Sequence, residues 1–403
     1  MEKLRTVMIV AGEASGDLHG AHLVREMKAL DPTLAFCGVG GQGLEAEGVR
    51  LVARSSEMGV VGLTEVFSKL RLILGVFFRL RRMLREEKPE LLILIDYPDF
   101  NLPLASAAKR AGVKVFYYIS PQVWAWRKNR IERIRRNVDR MAVILPFEPA
   151  VYAERGLEVH FVGHPLLDAV KRTRSRKEAL AAFGLRDTRP IVALLPGSRE
   201  KEVMSLLPEM VGAAGILARD FEEAQFVLPL AETVDPGLVQ GILRQHAVPV
   251  KVLPGQMADA VGISDVAMVA SGTATLETAL LQTPMVITYK ISPLTAAVGK
   301  RLIRVRHIGL VNIIAGKTVV PELVQDDATA EKLAAAVKAI LSDGQRSDAI
   351  RGELAEIRQK LGDPGASRRA AELALGLMGE RVEGRGWRAK KLDARDSVDK
   401  LSK

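Results

Sequence analysis

Residues 9–20 read IVAGEASGDLHG, and this stretch decides the fold. An apolar run that ends at Ala11 enters a turn containing Gly12 and Gly16, and apolar residues at helical spacing follow from Leu23 onward. A strand, a glycine-containing turn and a helix in immediate succession predict an α/β domain with a parallel sheet. The glycine spacing fits neither a dinucleotide-binding loop nor a nucleoside-triphosphatase loop, and two carboxylates in the turn would repel a bare phosphate.

The same alternation of strands and helices runs through most of the chain. The predicted strands of the first half are Thr6–Ala11, Ala35–Val39, Leu91–Asp96, Val113–Ile119, Met141–Leu145 and His160–Val162. Those of the second half are Ile191–Leu195, Gln225–Leu228, Val250–Leu253, Val266–Ala270 and Met285–Thr288. We therefore expect two tandem, Rossmann-like, doubly wound domains with a cleft between them, where the strand ends face each other.

Clusters of charged and turn residues suggest the domain boundaries. The expected segments are an N-terminal domain at 1–165, a linker within 163–176, a second domain at 175–345, a helical extension at 346–380 and a charged, loosely ordered tail at 381–403. The last predicted helices are Ala328–Leu341, Ser347–Leu361 and Ala366–Met378.

Composition narrows the class of protein. The chain has 403 residues, 48% of them hydrophobic, a net charge of +10 and one cysteine, Cys37, which we expect to be buried and reduced. No secretory signal and no run of about 20 apolar residues is visible, so we expect a cytoplasmic protein. The positive charge favours anionic partners, which include nucleic acid, phosphorylated ligands and anionic lipid surfaces.

The stretch ASGTATLE at residues 270–277 predicts a diphosphate site. A strand ends at Ala270, a turn follows, and a helix begins near Ala274, so the helix N-terminus could bind phosphate with help from the hydroxyls of Ser271 and Thr273. Glu277, one turn into the helix, could accept hydrogen bonds from both hydroxyls of a ribose. The structural alternative is a helix capped by one of the hydroxyls, with a solvated glutamate.

A second phosphate-compatible turn occurs in LLPGSR at residues 194–199. Arg199 would stand at the carboxyl end of a strand, where its guanidinium could bind phosphate oxygens in a bidentate manner, next to Ser198. The alternative is a surface salt bridge with Glu200 or Glu202. The chain contains no Asp-x-Asp pair, so we expect a reaction without a metal and without a cofactor.

In the first half, IDYPDFN at residues 95–101 predicts a general base. Asp96 ends a strongly apolar strand, where a carboxylate is costly unless it is hydrogen-bonded or functional. Asp99 has a ready structural explanation as the N-cap of the next helix, so we favour Asp96.

Two further stretches suggest contacts with a surface. Residues 69–85 carry six basic residues, no acidic one and a continuous apolar or glycine run from Leu72 to Phe78. This pattern favours an interfacial helix on anionic headgroups, with Leu72, Ile73, Val76 and Phe77 facing the membrane, and the alternative is a core helix with a basic edge. Trp124 and Trp126, followed by basic residues, could stack on bases, line a sugar site, lie at a lipid interface or simply be buried.

Together these stretches resemble one family, the lipid-A-disaccharide synthases, which are GT-B glycosyltransferases of Gram-negative bacteria. The motifs that carry the resemblance are AGEASGD (11–17), IDYPDFN (95–101), SPQVWAWR (120–127), LPFE (145–148), FVGHP (161–165), LLPGSR (194–199), ASGTATLE (270–277) and VNIIAG (311–316). They span roughly residues 5 to 375 in the family's order. Val311 stands where the family has proline.

The resemblance implies a reaction and its partners. UDP-2,3-diacylglucosamine would donate its sugar to 2,3-diacylglucosamine 1-phosphate with inversion, giving a β-1′,6-linked tetraacyl disaccharide 1-phosphate and UDP. It also implies an enzyme at the cytoplasmic face of the inner membrane. It further implies a homodimer that exchanges C-terminal segments, with the last helices returning to the N-terminal domain of their own or the partner chain. No nucleic acid is expected.

The resemblance also assigns residues. Asp96 and Glu13 are the catalytic candidates, with Asp99 kept open as the base. The donor positions are Ser198, Arg199, Gln256, Ser271, Gly272, Thr273 and Glu277. The acceptor loop and its surroundings comprise Gly12, Ser15, Asp17 and Asn312, where carboxylates would accept hydrogen bonds from sugar hydroxyls or orient the base. Asp17 could instead be a first-turn helix acid.

Two other functions stay open at this stage. A UDP-sugar 2-epimerase would share the fold and the ribose-binding glutamate, but it would leave the apolar run at Leu72–Phe78 unexplained. A basic RNA-binding protein would fit the charge, but it would give Asp96 and the two phosphate-compatible turns no purpose.

Overall fold

The apolar runs of the sequence form two parallel sheets. The computed structural model describes residues 5–58, 63–123, 130–290 and 307–379. The strands of the first sheet are β1 (Arg5–Ala11), β2 (Leu34–Gly40), β3 (Arg50–Arg54), β4 (Leu91–Ile95), β5 (Lys114–Tyr118), β6 (Arg140–Val143) and β7 (His160–Phe161). The strands of the second sheet are β8 (Ile191–Leu195), β9 (Gln225–Leu230), β10 (Val250–Pro254), β11 (Val266–Ala270), β12 (Met285–Tyr289) and β13 (Glu322–Val324).

Helices connect the strands and cover the sheets. In the first half they are α1 (Ala14–Leu30), α2 (Gln42–Ala46), α3 (Ser55–Met58), α4 (Leu63–Glu86), α5 (Pro98–Arg110), α6 (Arg130–Asn137) and α7 (Glu148–Ala153). In the second half they are α8 (Leu166–Ala169), α9 (Arg176–Phe183), α10 (Glu200–Asp220), α11 (Pro236–Leu243), α12 (Met257–Gly262), α13 (Thr273–Leu280), α14 (Leu310–Ala315), a 3₁₀ turn at Gln325–Asp327, α15 (Ala330–Leu341), α16 (Gly344–Lys360) and α17 (Ala366–Gly379).

Both sheets are doubly wound, as the sequence predicts. The strand order is β3-β2-β1-β4-β5-β6-β7 in the first sheet and β10-β9-β8-β11-β12-β13 in the second, and all strand pairs are parallel. The central strands are buried on both faces, which explains their continuous apolar composition. The short strands β3 and β13 were not predicted, because only a few half-buried residues mark them.

Two units divide the chain. The first runs to Pro165 and resumes at Gly362, and the second covers Leu166–Leu361. Helix α16 lies in the second unit, where it contacts α13, α14 and α15. We expected all of residues 346–380 to pack on the N-terminal domain. This expectation is corrected, because of the two helices only α17 belongs to the first unit.

The last helix, α17, packs against the first sheet's helix α1. Its alanines Ala370, Ala371 and Ala374 are buried, so the two helix backbones approach closely. The Nζ atom of Lys114 donates to the carbonyl of Leu377 at 2.8 Å, which satisfies the open C-terminal end of the helix. These contacts confirm that the C-terminal helix packs back on the N-terminal domain.

Helix α4 corrects the predicted membrane-facing set. Val76 lies in the core of the first unit, and Ile73 and Phe77 pack against that core, because they follow the helical period toward the buried Leu80. Leu72 is exposed, as expected. Among the side chains that the structure describes from residue 70 onward in this helix, Leu70, Leu74 and Phe78 are also exposed and apolar.

Candidate functional site

In each sheet, the predicted site motifs flank the point where the strand order reverses. In the first sheet this point lies between β1 and β4, and the loop 12–13 and the turn 96–97 follow these two strands. In the second sheet it lies between β8 and β11, followed by the turns 196–199 and 271–272. The carboxyl ends of strands at such a reversal are where doubly wound sheets bind their ligands. Each unit thus carries its own candidate ligand site.

In the first unit, Asp96 lies in a strained turn after β4. Asp96 and Tyr97 both have φ of 44°, a left-handed conformation that costs non-glycine residues of order 1 kcal/mol or more each. The turn is held by side chains beneath it, since the carbonyl of Asp96 accepts hydrogen bonds from Asn101 Nδ2 at 2.7 Å and from the hydroxyl of Tyr117 at 2.5 Å. Such strain persists only where the surroundings over-determine it, which is typical of functional turns.

The electrostatics of this turn suit a general base. Burial, followed by the negative charge of Glu13, raises the pKa of Asp96 to about 6, and a hydrogen bond from the backbone of Tyr97 opposes the rise. A carboxylate with this pKa is ionised at neutral pH and is a stronger proton acceptor than an ordinary aspartate.

The loop after β1 brings its own groups to the same place. Glu13 occupies the N-cap position of α1 and is exposed, as is Ser15 in the first turn. Gly12 is buried against the ring of Tyr97, so this loop and the Asp96 turn are in direct contact. The structure therefore brings together Gly12, Glu13 and Asp96.

Asp17 has a role that differs from our expectation. Its carboxylate accepts hydrogen bonds from the backbone amides of Gly41, Gly43 and Leu44 at 2.5, 2.8 and 3.1 Å. These amides belong to the start of α2, so Asp17 caps that helix and ties it to α1. This buried contact assigns Asp17 to the fold and not to sugar binding. The alternative, a first-turn acid that stabilises its own helix α1, also differs from what is found, because the helix that Asp17 caps is α2.

Asp99 is also placed differently from the expectation. Tyr97 is the N-cap of α5, and Asp99 lies at the second helical position, where it forms an ion pair with Arg130. An exposed acid in the first turn is favourable to the helix dipole. Its exposure distinguishes it from Asp96, which is half-buried.

In the second unit, the turn after β8 presents Ser198 and Arg199 at the surface. Gly197 has φ of 115°, and a Cβ at this position would lie 2.4 Å from Glu202 Oε2. Glu202 reaches back to the turn, accepting from the amide of Ser198 and forming an ion pair with Arg199 at 3.3 Å. The surface salt bridge is thus present, and an exposed pair of this kind contributes little, so a phosphate can replace it.

The turn after β11 lies beside it and leads into α13. Gly272 is the N-cap, and no side chain caps the helix. The hydroxyl of Ser271 donates to the carbonyl of Ile308 at 3.1 Å, and Thr273 is exposed at the first helical position. The expected alternative, a cap formed by Ser271 or Thr273, is therefore not what the structure shows, and the helix N-terminus presents its backbone amides.

Glu277 lies one turn into α13 and is half-buried. Burial raises the pKa of its carboxyl group above the ordinary value. No hydrogen bond or ion pair of this carboxylate occurs within the described part of the chain. A desolvated carboxylate of this kind gains most from a ligand that brings two hydroxyl donors.

Two other predicted residues serve the second unit's fold. Asn312 is fully buried. Its Oδ1 atom accepts hydrogen bonds from the backbone amides of Val319 and Val320, and its Nδ2 atom donates to the carbonyl of Val320 and to the carboxylate of Glu322. It holds the loop before β13 and is not available to an acceptor, which corrects our expectation. The Oε1 atom of Gln256 accepts a hydrogen bond from Arg174 at 2.6 Å. Any contact of Gln256 with the sugar-nucleotide donor must therefore come from its NH₂ group.

Sequence reasoning missed one strongly perturbed group, Glu148. It is fully buried at the start of α7, and burial raises the pKa of its carboxyl group to about 7. Unlike Asp96, which directly follows β4, Glu148 comes several residues after the end of β6 and begins α7, so its sequence position gave only a weak signal. Trp124 and Trp126 lie outside the described residues.

Two searches of the described residues complete the survey. No group of three or more His, Cys, Asp and Glu side chains there is placed to hold a metal ion. In the same segments, no helix has both the length and the apolar character needed to cross a bilayer.

Two doubly wound α/β units in succession define a protein of the GT-B fold. A glycosyltransferase of kitacinnamycin matches over 92% of this chain and 98% of its own, with a TM-score of 0.62 and 16% identity. The UDP-GlcNAc 2-epimerase from Neisseria meningitidis, solved with UDP-GlcNAc, covers 92% and 98% with a TM-score of 0.59 and 14% identity. At these identities the likeness concerns the fold alone.

The chain belongs to the lipid-A-disaccharide synthetase family, whose model matches residues 7–376. The lipid-A-disaccharide synthase of Syntrophus aciditrophicus is 55% identical over 375 residues, which cover 93% of this chain and 98% of the relative. The chain is therefore a glycosyltransferase of lipid A biosynthesis, and the resemblance drawn from the motifs is confirmed. The epimerase alternative and the RNA-binding alternative are not favoured.

Proposed function

We propose that the chain transfers 2,3-diacylglucosamine from UDP-2,3-diacylglucosamine to the 6-hydroxyl of 2,3-diacylglucosamine 1-phosphate in a single inverting displacement. The products are the β-1′,6-linked tetraacyl disaccharide 1-phosphate and UDP. Family membership supports the reaction, and the position of Asp96 in its strained, desolvated turn is the observation that carries the mechanism.

Asp96 is the base in this mechanism. Its carboxylate takes the proton of the 6-hydroxyl while that oxygen bonds to the anomeric carbon of the donor. The bond between this carbon and the diphosphate breaks, and its electron pair leaves with UDP. Glu13 accepts a hydrogen bond from an acceptor hydroxyl, and its charge maintains the raised pKa of Asp96. The exposed Ser15 lets the acceptor approach the loop, and Gly12 lets the loop backbone pack against the ring of Tyr97.

The second unit binds the donor in our proposal. Arg199 exchanges its exposed ion pair with Glu202 for the diphosphate, next to Ser198 and to the amides of Gly272 and Thr273 at the start of α13. Ser271 shapes this turn through its bond to the loop before α14. Glu277 accepts hydrogen bonds from the ribose. Charge on the departing diphosphate is then stabilised without a metal.

The exposed face of α4 suggests where the acyl chains lie. Leu70, Leu72, Leu74 and Phe78 are exposed together with several arginines of the same helix. Leu70, Leu74 and Phe78 recur every four residues and so form an apolar strip, with Leu72 exposed on another side of the helix. Apolar side chains among arginines favour an anionic bilayer surface, so we propose peripheral association with the cytoplasmic face of the inner membrane.

We also propose a homodimer with exchanged C-terminal segments. The contacts that hold α17, from Lys114 and from Arg140 to the carbonyl of Leu373, would be the same if the helix came from a second copy. Light scattering after size-exclusion chromatography, with and without residues 362–403, tests this: dimers that persist without the segment would contradict the exchange.

The reaction is tested by turnover in mixed micelles containing EDTA. Wild type is expected to form the disaccharide, and Asp96→Ala is expected to lose at least ~10²-fold in kcat, as removal of a general base does. Asp99→Asn, in the same motif but exposed, is the control and should remain within about threefold of wild type. Equal rates for Asp96→Ala and wild type would reassign the base, and no product from wild type would overturn the proposed reaction.

A further inference from the structure

Two strands along the sheet from Asp96 lies a fully buried carboxyl group, that of Glu148. The two residues follow β4 and β6, which are separated in the sheet only by β5. Glu148 is 1% exposed, so no substrate can touch it. Its Oε2 atom accepts hydrogen bonds from the backbone amides of Ile144 and Leu145 at 3.2 and 2.9 Å. The carboxyl group is thus fixed at the end of β6.

Ser120 connects this carboxyl group to the end of β5. Its hydroxyl donates to the carbonyl of Pro121 at 2.9 Å and lies 2.6 Å from the hydroxyl of Tyr152, which is itself fully buried. The same hydroxyl is close enough to Glu148 to lower the pKa of that carboxyl group, against the larger rise caused by burial. Three polar side chains from the end of β5 and from α7 therefore form one buried cluster, Ser120, Glu148 and Tyr152. A buried polar cluster is costly, so its position under a functional turn suggests a purpose.

The cluster borders the residue that holds Asp96. Ile119, next to Ser120, has φ of 64°, which is unusual and strained for a β-branched side chain. Its carbonyl accepts the backbone amide of Asp96 at 3.3 Å. The residues that follow the neighbouring strands β4 and β5 are therefore both strained, and this hydrogen bond joins them. Ser120 holds the segment that follows β5.

We propose that Glu148 is a positioning residue for the transfer reaction: through Ser120 it fixes the strained Ile119, whose carbonyl holds the Asp96 turn in its reactive orientation. This inference rests on the proposed function of Asp96. The charge of Asp96 adds to the rise that burial causes in the pKa of Glu148, so the two carboxyl groups lie within electrostatic range of each other.

The test compares kcat and KM of purified full-length variants in the mixed-micelle assay. Glu148→Ala should lower kcat by ~10- to 100-fold with both KM values within about threefold, because a small displacement of a catalytic group affects the chemical step. Glu148→Gln should recover most of the rate, since its carbonyl oxygen can still accept the two backbone amides. Unchanged kcat in Glu148→Ala, or no recovery in Glu148→Gln, would overturn the proposal.

Asp139→Ala is the matched control for general damage to the sheet. Asp139 also accepts a backbone amide, that of Val115 at 2.8 Å, but at the amino ends of β5 and β6. Its kcat should stay within about threefold of wild type, and an equal loss in both alanine variants would contradict a positioning role.

Two further results separate the possible failures. If Glu148→Ala does not fold, Ser120→Ala replaces it: lower kcat at unchanged KM supports the proposal, and unchanged kcat overturns it. If wild type and Asp99→Asn are active, Asp96→Ala is inactive and Glu148→Ala equals wild type, only the positioning role fails. An inactive wild type would overturn the proposed function, and this inference with it.

Discussion

The ring of Tyr97 lies directly against the backbone of Gly12: a Cβ built on Gly12 would be 2.4 Å from two ring atoms of Tyr97. Tyr97 adjoins Asp96 in the strained turn, and Gly12 adjoins Glu13. The contact therefore sets the distance between the loop after β1 and the turn that carries the base. It also explains why glycine is needed in a loop that binds no bare phosphate.

Gly12→Ala should consequently impair catalysis more than folding. The added methyl group must push the Tyr97 ring away, and a shift of about 1 Å in the neighbouring Asp96 is enough to lower kcat by up to ~10²-fold. Gly16→Ala is the matched control in the first turn of the adjoining helix α1, since its Cβ would find only ordinary contacts at 3.5 Å. Steady-state kinetics of both variants, with thermal unfolding alongside, decides the matter, and equal activity of the two would refute this account.

The acid limb of the pH–rate profile should report Asp96. Because the pKa of Asp96 is raised to about 6, the base is protonated and kcat/KM falls as the pH drops below about 6, whereas an unperturbed aspartate would stay active to about pH 4. Glu13→Gln should move this limb to lower pH, since it removes the neighbouring negative charge that contributes to the rise. A limb that does not move in Glu13→Gln would show that this charge does not act on the base.

Asp96 should also lower the stability of the protein at neutral pH. Its folded-state pKa of about 6 exceeds the ordinary aspartate value of 3.8, so the folded chain binds the proton more tightly and stability falls as the pH rises from about 4 through 6. Asp96→Asn has no such penalty, and it should be more stable than wild type by about 1–3 kcal/mol at pH 7.5 and by little at pH 4. Thermal unfolding across this range measures the difference, with Asp99→Asn as the exposed control, and a gain that does not depend on pH would argue against the ionisation of Asp96 as its cause.

Glu277→Gln should weaken donor binding with a smaller effect on kcat. The substitution keeps the volume of the side chain, but it removes the charge that would accept two ribose hydroxyls, and hydrogen bonds to charged groups contribute about 1.5–3 kcal/mol. We expect the Kd for UDP and the KM for the donor to rise by ~10-fold or more. Titration calorimetry with UDP measures this directly. Glu223→Gln, an exposed member of a surface ion pair in the same unit, should bind UDP as wild type does.

The sequence predicted what depends on local pattern. Apolar runs of five or six residues located the central strands, and an acid or glycine directly after such a run located Asp96 and the loop at Gly12. Asp17 and Asn312 were misassigned for a common reason: their partners are backbone amides far away in the sequence or in an irregular loop, and no spacing reveals such contacts. Glu148 was overlooked because the motif that contains it reads equally well as a helix start.

The last prediction concerns the exposed face of α4, where periodicity alone could not choose the lipid-facing residues. Leu72 and Phe78 are 44% and 57% exposed, whereas Val76 on the same helix is 7% exposed. Leu72→Ser/Phe78→Ser should therefore reduce binding to vesicles that contain an anionic phospholipid by ~10-fold or more without lowering the unfolding temperature, since two large apolar side chains no longer enter the interface. Val76→Ser should lower the unfolding temperature and leave vesicle binding unchanged, because it places a hydroxyl in the core and leaves the surface intact.

Leu18→Ser controls for the loss of any exposed apolar side chain, since Leu18 is 50% exposed on a different helix, α1. Vesicle sedimentation with anionic and with neutral lipid separates the apolar contribution from that of the arginines, which should disappear at high salt. If the double variant binds anionic vesicles as tightly as wild type and Leu18→Ser does not, the membrane surface lies on α1 and the role we assign to α4 is wrong.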